Sequence, residues 1–210
     1  MPFDYKKEYR EYYQPPRTPS VVTVPPMQFI AVRGSGDPNE ENGAYQRAVA
    51  QLYAVAFTLK MSPKAGRRID GYFAYVVPPL EGFWRQEGAG EIDYAHKERF
   101  RWVSAIRLPD FVGREDFVWA VAEAEKKKRI DLSAVELLHY DEGLCVQCLH
   151  VGPYDGEPAT IRLMNEFVRS GGYALDITPQ RPHHEIYLSD PQRVDPARLR
   201  TVLRHPVHRA

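Results

Sequence analysis

Cysteine is scarce in this 210-residue chain: Cys145 and Cys148 are the only two. That excludes the disulfide framework of a small secreted domain. Their Cys-x-x-Cys spacing invites a redox or metal reading. The surrounding LCVQCLHV, however, has strand character, and residues three apart on a strand point to opposite faces. Two structural thiols are expected, and no second cysteine pair exists to complete a zinc site. Net charge is missing as well. Lys plus Arg and Asp plus Glu both total 28, so the electrostatic footprint of a dedicated nucleic-acid binder is absent and direct nucleic-acid binding is not expected. No stretch reaches the roughly 18 consecutive apolar residues of a membrane helix. The opening MPFDYKKEYREYYQPP is charged and aromatic, unlike a signal peptide. A cytoplasmic protein without membrane contact is the expectation.

Familiar catalytic motifs are also lacking. The Gly-rich RGSGDPNEENG has no Gly-Lys-Ser/Thr ending, and its acids would repel a phosphate, so a flexible acidic loop is expected there. No Gly-x-Ser-x-Gly elbow supports acyl transfer. What the chain does have is rings: 13 Tyr, 9 Phe and 3 Trp, enough for core packing or for a stacking pocket.

Residues 1–20, Tyr-rich and broken by Pro15, Pro16 and Pro19, read as a short helical or extended arm, too short for a helix-turn-helix. PPMQFIAVRGSGDP then alternates as a strand. Tyr45 to Met61 follows the 3.6-residue period of a helix through Tyr45, Val49, Leu52, Tyr53, Ala56 and Leu59. GYFAYVVPPLEGFW reads as a strand interrupted at Pro78 and Pro79. In ERFRWVSAIRLP, Phe100, Trp102, Ser104 and Ile106 share one strand face. Arg114 to Arg129 is predicted helical, with acids first and bases last as the macrodipole prefers. The order then recurs: VQCLHVGPYDGEP as strand and loop, Ile161 to Ser170 as helix, HEIYLSD as strand. Two such units pair most economically about a pseudo-twofold axis, with a ligand cleft between them. The basic C-terminal stretch with Arg200, Arg204, His205, His208 and Arg209 reads as a surface strand or turn edge, without acidic partners at metal spacing.

GLCVQCLHVGPYDGEPATI, HHEIYLSDP and LRTVLRHPV closely resemble the GyrI-like small-molecule-binding family, the effector-binding domain of multidrug-responsive regulators. PPLEGFW and WVSAIRLPDFV resemble its stand-alone subgroup, which includes cyclopropanoid hydrolases. The resemblance implies an α+β fold over residues 21–207, made of two strand-helix-strand-strand repeats. These are repeat one at about 25–110, a linking helix at about 114–129 and repeat two at about 135–207. They would form one curved antiparallel sheet with helices on one side and a ligand cleft on the other. It further implies a glutamate in mid-cleft, here Glu185; no metal or cofactor is expected, because release of ring strain lets one base and one donor suffice. Some stand-alone members open the strained cyclopropane of DNA-alkylating natural products, giving cellular protection. Others are binders or sensors of aromatic or cationic drugs, or gyrase-inhibitory proteins.

Alternation in HHEIYL places His183, Glu185 and Tyr187 on one face and His184, Ile186 and Leu188 on the other. A carboxylate held against aromatic walls is desolvated, which suits it to take a proton from water or to neutralise a cationic ligand. Tyr154 and Tyr187 are the candidate proton donors to a substrate oxygen. Trp84 and Trp102 are either stacking walls or core, and Phe111 is a pocket candidate through the family resemblance alone. His150 reads as a hydrogen-bonded structural residue or a site residue. Glu157 reads as a favourable helix start or a ligand contact. The expected partner is a planar aromatic small molecule, bound by a monomer or homodimer.

Overall fold

The computed structural model describes residues 1–86 and 95–210. Tyrosine-rich turns α1 (Tyr5–Glu8) and α2 (Arg10–Tyr13) form the arm. Strands β1 (Ser20–Val24) and β2 (Met27–Ser35) lead into α3 (Ala44–Lys60), whose Ala48, Leu52, Val55, Ala56 and Leu59 form one buried stripe. The interrupted strand forms only after its prolines, as β3 (Leu80–Gln86); Pro78 and Pro79 lack the N–H that a ladder needs. β4 (Phe100–Arg107) is followed by α4 (Arg114–Lys128). The Asp116 carboxylate accepts from the Gly113 backbone N–H at the start of α4, and Lys126, Lys127 and Lys128 close its last turn. After β5 (Glu136–Tyr140) and β6 (Gly143–Val151), α5 (Glu157–Ser170) begins four residues earlier than the periodicity indicates, with Pro158 in its first turn. The chain ends with β7 (Tyr173–Leu175), β8 (His183–Tyr187) and β9 (Arg200–Arg209).

These strands form one antiparallel sheet in the order β1-β6-β9-β8-β3-β4-β2-β5, with β7 added on β9. Its centre is the β3–β8 pair, in which Gly82 faces Glu185. To one side stand β4 and β2, to the other β9 and β6, so β2-α3-β3-β4 and β6-α5-β8-β9 are the two halves of a pseudo-twofold arrangement. The outer strands are exchanged. β1 precedes the first half but pairs with β6 of the second, and β5 precedes the second but pairs with β2 of the first. Each half therefore closes the other's edge, which leaves fewer unpaired backbone groups to template aggregation.

The C-terminal stretch departs from its sequence reading. It is the ten-residue β9, hydrogen-bonded between β6 and β8, and Arg204 and His205 are buried. Its basic residues mask an apolar strand whose Val202, Leu203 and Val207 are fully buried.

On one face, α3 and α4 pack over Ile30, Val32, Trp84, Trp102 and Ile106, while α5 packs over Val146, Cys148 and Leu203. On the other face the arm takes the place of a helix. Tyr5 and Tyr13 pack with Ile186 and Val202, and the rings of Tyr5 and Tyr9 lie 4.9 and 4.7 Å from the Arg107 guanidinium. Cys145 and Cys148 are both buried free thiols. No helix among the described residues is long and apolar enough to cross a membrane.

Candidate functional site

β8 carries side chains of opposite purpose on its two faces, as the alternation in HHEIYL predicts. His183, Glu185 and Tyr187 face the helices, and His184 and Ile186 face the arm. The glutamate thus lies on the helix-bearing side, not opposite it as the family resemblance implies. The arm packs against Ile186 and Val202 on the other face, while α3 covers β2 and β4 and α5 covers β6 on this one.

Glu185 is 7% exposed, and both of its oxygens are engaged. His183 Nε2 donates to Oε1 at 2.9 Å, and the Tyr187 hydroxyl donates to Oε2 at 2.7 Å. Trp84 Nε1 in turn donates to the Tyr187 oxygen at 2.9 Å. Behind His183, its Nδ1 lies 2.7 Å from His205 Nε2. One proton lies between these two ring nitrogens, and which of them donates follows from the tautomer of the pair. His205 Nδ1 is buried without a partner. Burial, reinforced by His183, holds the His205 pKa well below the usual imidazole range, so the ring is neutral. The chain Trp84–Tyr187–Glu185–His183–His205 fixes the orientation of the carboxylate before any ligand arrives.

This arrangement depends on Gly82. A β-carbon there would stand 2.5 Å from Trp84 Nε1 and 2.9 Å from the Tyr187 hydroxyl. The missing side chain is what lets indole and phenol meet across the strand beside Glu185. Gly34 plays a similar part for Trp102, whose ring lies over it.

A second carboxyl comes from the opposite direction. Glu157, the first residue of α5, is 1% exposed, and its Oε1 has no hydrogen-bond partner. One ligand atom each from Glu157, His183 and Glu185 lies within 4.8 Å of the others. Burial first, then the negative charge of Glu185, raises the Glu157 pKa well above the carboxylate range. Glu157 is thus both a helix start and a member of the cluster. Among the described residues, these three side chains form a group with the geometry to hold a cation. They gave no metal spacing in the sequence because they come from a helix start and from alternate positions of a strand.

Rings complete the surroundings. Tyr154 meets Tyr187 edge-on with centroids 5.8 Å apart, and burial, then Glu157 and Glu185, pushes its pKa up to about 12. Tyr45 of α3 lies 5.3 Å from Trp84 and 5.2 Å from Trp102 between ring centroids. Among the sequence candidates, Glu185, Tyr187, Trp84, His183, Tyr154 and Glu157 come together. Trp102 stands behind Tyr45. His150 holds the turn before α5, with Nδ1 2.9 Å from Thr160 Oγ1 and Nε2 3.1 Å from the Pro153 carbonyl. Phe111 packs in a different ring cluster with Tyr72, Phe73 and Tyr75. Sequence reasoning passed over Tyr45, taken as a core position of its helix, and His205, hidden in the basic stretch.

The opposite face holds a contrasting network. His184 bridges Glu81 and Glu142 at 2.9 Å each, and Arg204 donates to Glu142 at 2.8 Å. Burial alone would raise the Glu142 pKa, but the charges of His184 and Arg204 overcome it and hold the group at about 2. Burial likewise works against the charge on His184, and Glu142 reverses the sign and raises its pKa.

Residues 17–208 match the model of the GyrI-like small molecule binding domain. Among solved structures, an uncharacterized conserved protein from Listeria innocua is 46% identical with a TM-score of 0.92, over 98% of this chain and 100% of that one. A hydrolase from Listeria innocua is 43% identical with a TM-score of 0.89, over 98% of this chain and all of its own. Another Listeria innocua hydrolase, encoded by lin2189, is 44% identical with a TM-score of 0.90, over 99% and 100%. No curated protein matches the chain. The chain belongs to the family of GyrI-like small-molecule-binding proteins.

Proposed function

We propose that this protein is a hydrolase of strained, planar electrophiles of the cyclopropanoid type, and that it protects the cell from them. The observation that carries this reading is the buried, pre-oriented carboxylate of Glu185 among ring side chains. The description of relatives at 43 and 44% identity as hydrolases supports it.

A cyclopropane conjugated to a dienone needs a water aligned with its strained carbon and a donor for the oxygen that becomes phenolic. Glu185 takes a proton from that water as the new C–O bond forms. The breaking ring C–C bond releases its electron pair through the conjugated system to the carbonyl oxygen, which is protonated. Addition of one water accounts for every atom. Tyr187 spends its proton on Glu185. Tyr154, whose hydroxyl makes no hydrogen bond to another described residue, is therefore the better donor. Release of ring strain supplies much of the driving force, so positioning is the main task of the protein.

A second reading, a binder that sequesters or senses flat cationic drugs, is favoured by the presence of two carboxyl groups at one buried place. Incubating the pure protein with a cyclopropanoid separates the two. Hydrated product in excess of protein is expected from the enzyme. Protection that stops at one equivalent, without product, identifies the binder.

A further inference from the structure

We propose that Glu157, His183 and Glu185 form a three-ligand site for a divalent transition-metal ion of the zinc class, whose remaining coordination positions are left to water. The proposal reverses the metal-free expectation drawn from the sequence and does not rest on hydrolysis. While the ion is bound, Glu185 serves it as a ligand and is not available to water as a base.

The two faces of the sheet treat buried acids differently. On the arm side, Glu81 and Glu142 are matched by His184 and Arg204 in direct contact. On the helix side, Glu157 and Glu185 are 1% and 7% exposed, and neither forms an ion pair with a lysine or arginine among the described residues. Glu157 Oε1 has no hydrogen-bond partner. A divalent cation supplies both the missing charge and the missing contact, and the two carboxylates neutralise it in turn.

The separations suit a single ion. One ligand atom from each of the three side chains lies within 4.8 Å of the others. Zinc holds nitrogen and oxygen ligands at roughly 2.0–2.2 Å, which sets neighbouring ligand atoms about 3–3.5 Å apart. His183 Nε2 and Glu185 Oε1, at 2.9 Å, already stand near that separation. Glu157 joins them without breaking a hydrogen bond at Oε1.

The surroundings hold the ligands as metal sites require. The Tyr187 hydroxyl fixes Glu185 Oε2 at 2.7 Å, and His205 Nε2 stands 2.7 Å from the far nitrogen of His183. With the ion on His183 Nε2, that ring carries its proton on Nδ1 and donates it to His205 Nε2, while His205 keeps its own proton on Nδ1. One imidazole and two carboxylates, without a thiolate, suit zinc and its neighbours in the first transition row. Magnesium, which dehydrates reluctantly and prefers oxygen alone, fits less well.

The test is zinc binding by the chelator-treated full chain. Calorimetry with zinc chloride should show one equivalent bound, and the thermal midpoint should rise with free zinc. Magnesium chloride should do neither. Glu157→Gln and Glu185→Gln should each weaken zinc binding by more than about 100-fold, and Tyr187→Phe, which removes only the hydroxyl that holds Glu185, by about 10–100-fold. X-ray absorption of the zinc-loaded protein should show one imidazole nitrogen with oxygen in the other positions. Absence of a one-equivalent site overturns the proposal, as does zinc held equally well by Glu157→Gln. Sulfur around the ion would place it on Cys145 or Cys148 and overturn it too. Should Glu157→Gln fail to fold, the absorption spectrum of the unmodified protein decides by the same criterion.

Discussion

His183 and His184 are neighbours in the chain and serve opposite faces of the sheet: His183 donates to Glu185 at 2.9 Å, and His184 spans Glu81 and Glu142 at 2.9 Å each. One strand thus couples the candidate site to a buried, fully paired ionic network. That network fixes β8 against β9 through Glu142 and Arg204, and thereby fixes where Glu185 stands.

Removing one member of such a network leaves its partners buried and unpaired. Glu142→Gln should cost about 3–5 kcal/mol in urea unfolding near neutral pH. The folded pKa of Glu142 lies below its ordinary value of 4.5, at about 2. Its contribution is therefore fully present above about 4.5 and is lost as pH falls through about 2. The difference between the two proteins should shrink over that acid range and stay constant above it.

Glu157 has the opposite sign. Its folded pKa is raised, so its contribution to stability is present below the ordinary value of 4.5 and is lost as pH rises towards the folded value. Glu157→Gln removes this dependence. As pH rises from about 4.5, the unmodified protein should lose stability relative to the variant by up to about 1.4 kcal/mol per pH unit. Thermal unfolding across that range reads the effect, and a pH-independent difference would contradict it.

Gly82→Ala places a methyl group where Trp84 and Tyr187 meet. Separation of the two rings should cost about 1–3 kcal/mol and expose the Trp84 indole, shifting tryptophan fluorescence to longer wavelength. An unchanged spectrum with unchanged stability would mean that the contact is not confined as described.

Tyr187→Phe removes the hydroxyl between Trp84 and Glu185. The Trp84 N–H loses its acceptor, at a cost of about 1–3 kcal/mol, and Glu185 loses one of its two constraints. If the hydrolase reading holds, turnover should fall more than ligand affinity, as measured by steady-state rates and equilibrium titration.

Local periodicity was enough to place the parts of the site that sit on a single strand. The alternation in HHEIYL correctly joins His183, Glu185 and Tyr187, and that in ERFRWVSAIRLP correctly gives Phe100, Trp102 and Ile106 one face, which the structure packs under the helices. What was not legible depends on contacts between distant segments. His205 meets His183 only because β9 lies beside β8, and nothing local in LRTVLRHPV announces a central strand when its Arg204 is balanced by Glu142, 62 residues away. Tyr45 occupies an ordinary apolar position of a helical repeat, and its place against Trp84 follows from how α3 crosses the sheet. Likewise, residues 1–20 read only as a short helical or extended arm because their tyrosines find their partners, Arg107 and Glu81, on remote strands.

The central claim is that the Glu185 carboxylate acts on water in a site that otherwise only binds. Glu185→Gln keeps shape and hydrogen-bonding capacity while removing the base. Measured side by side, product formation from a cyclopropanoid and equilibrium binding of the same compound should separate in this variant, with turnover abolished and binding retained. Turnover that persists in Glu185→Gln would contradict the account.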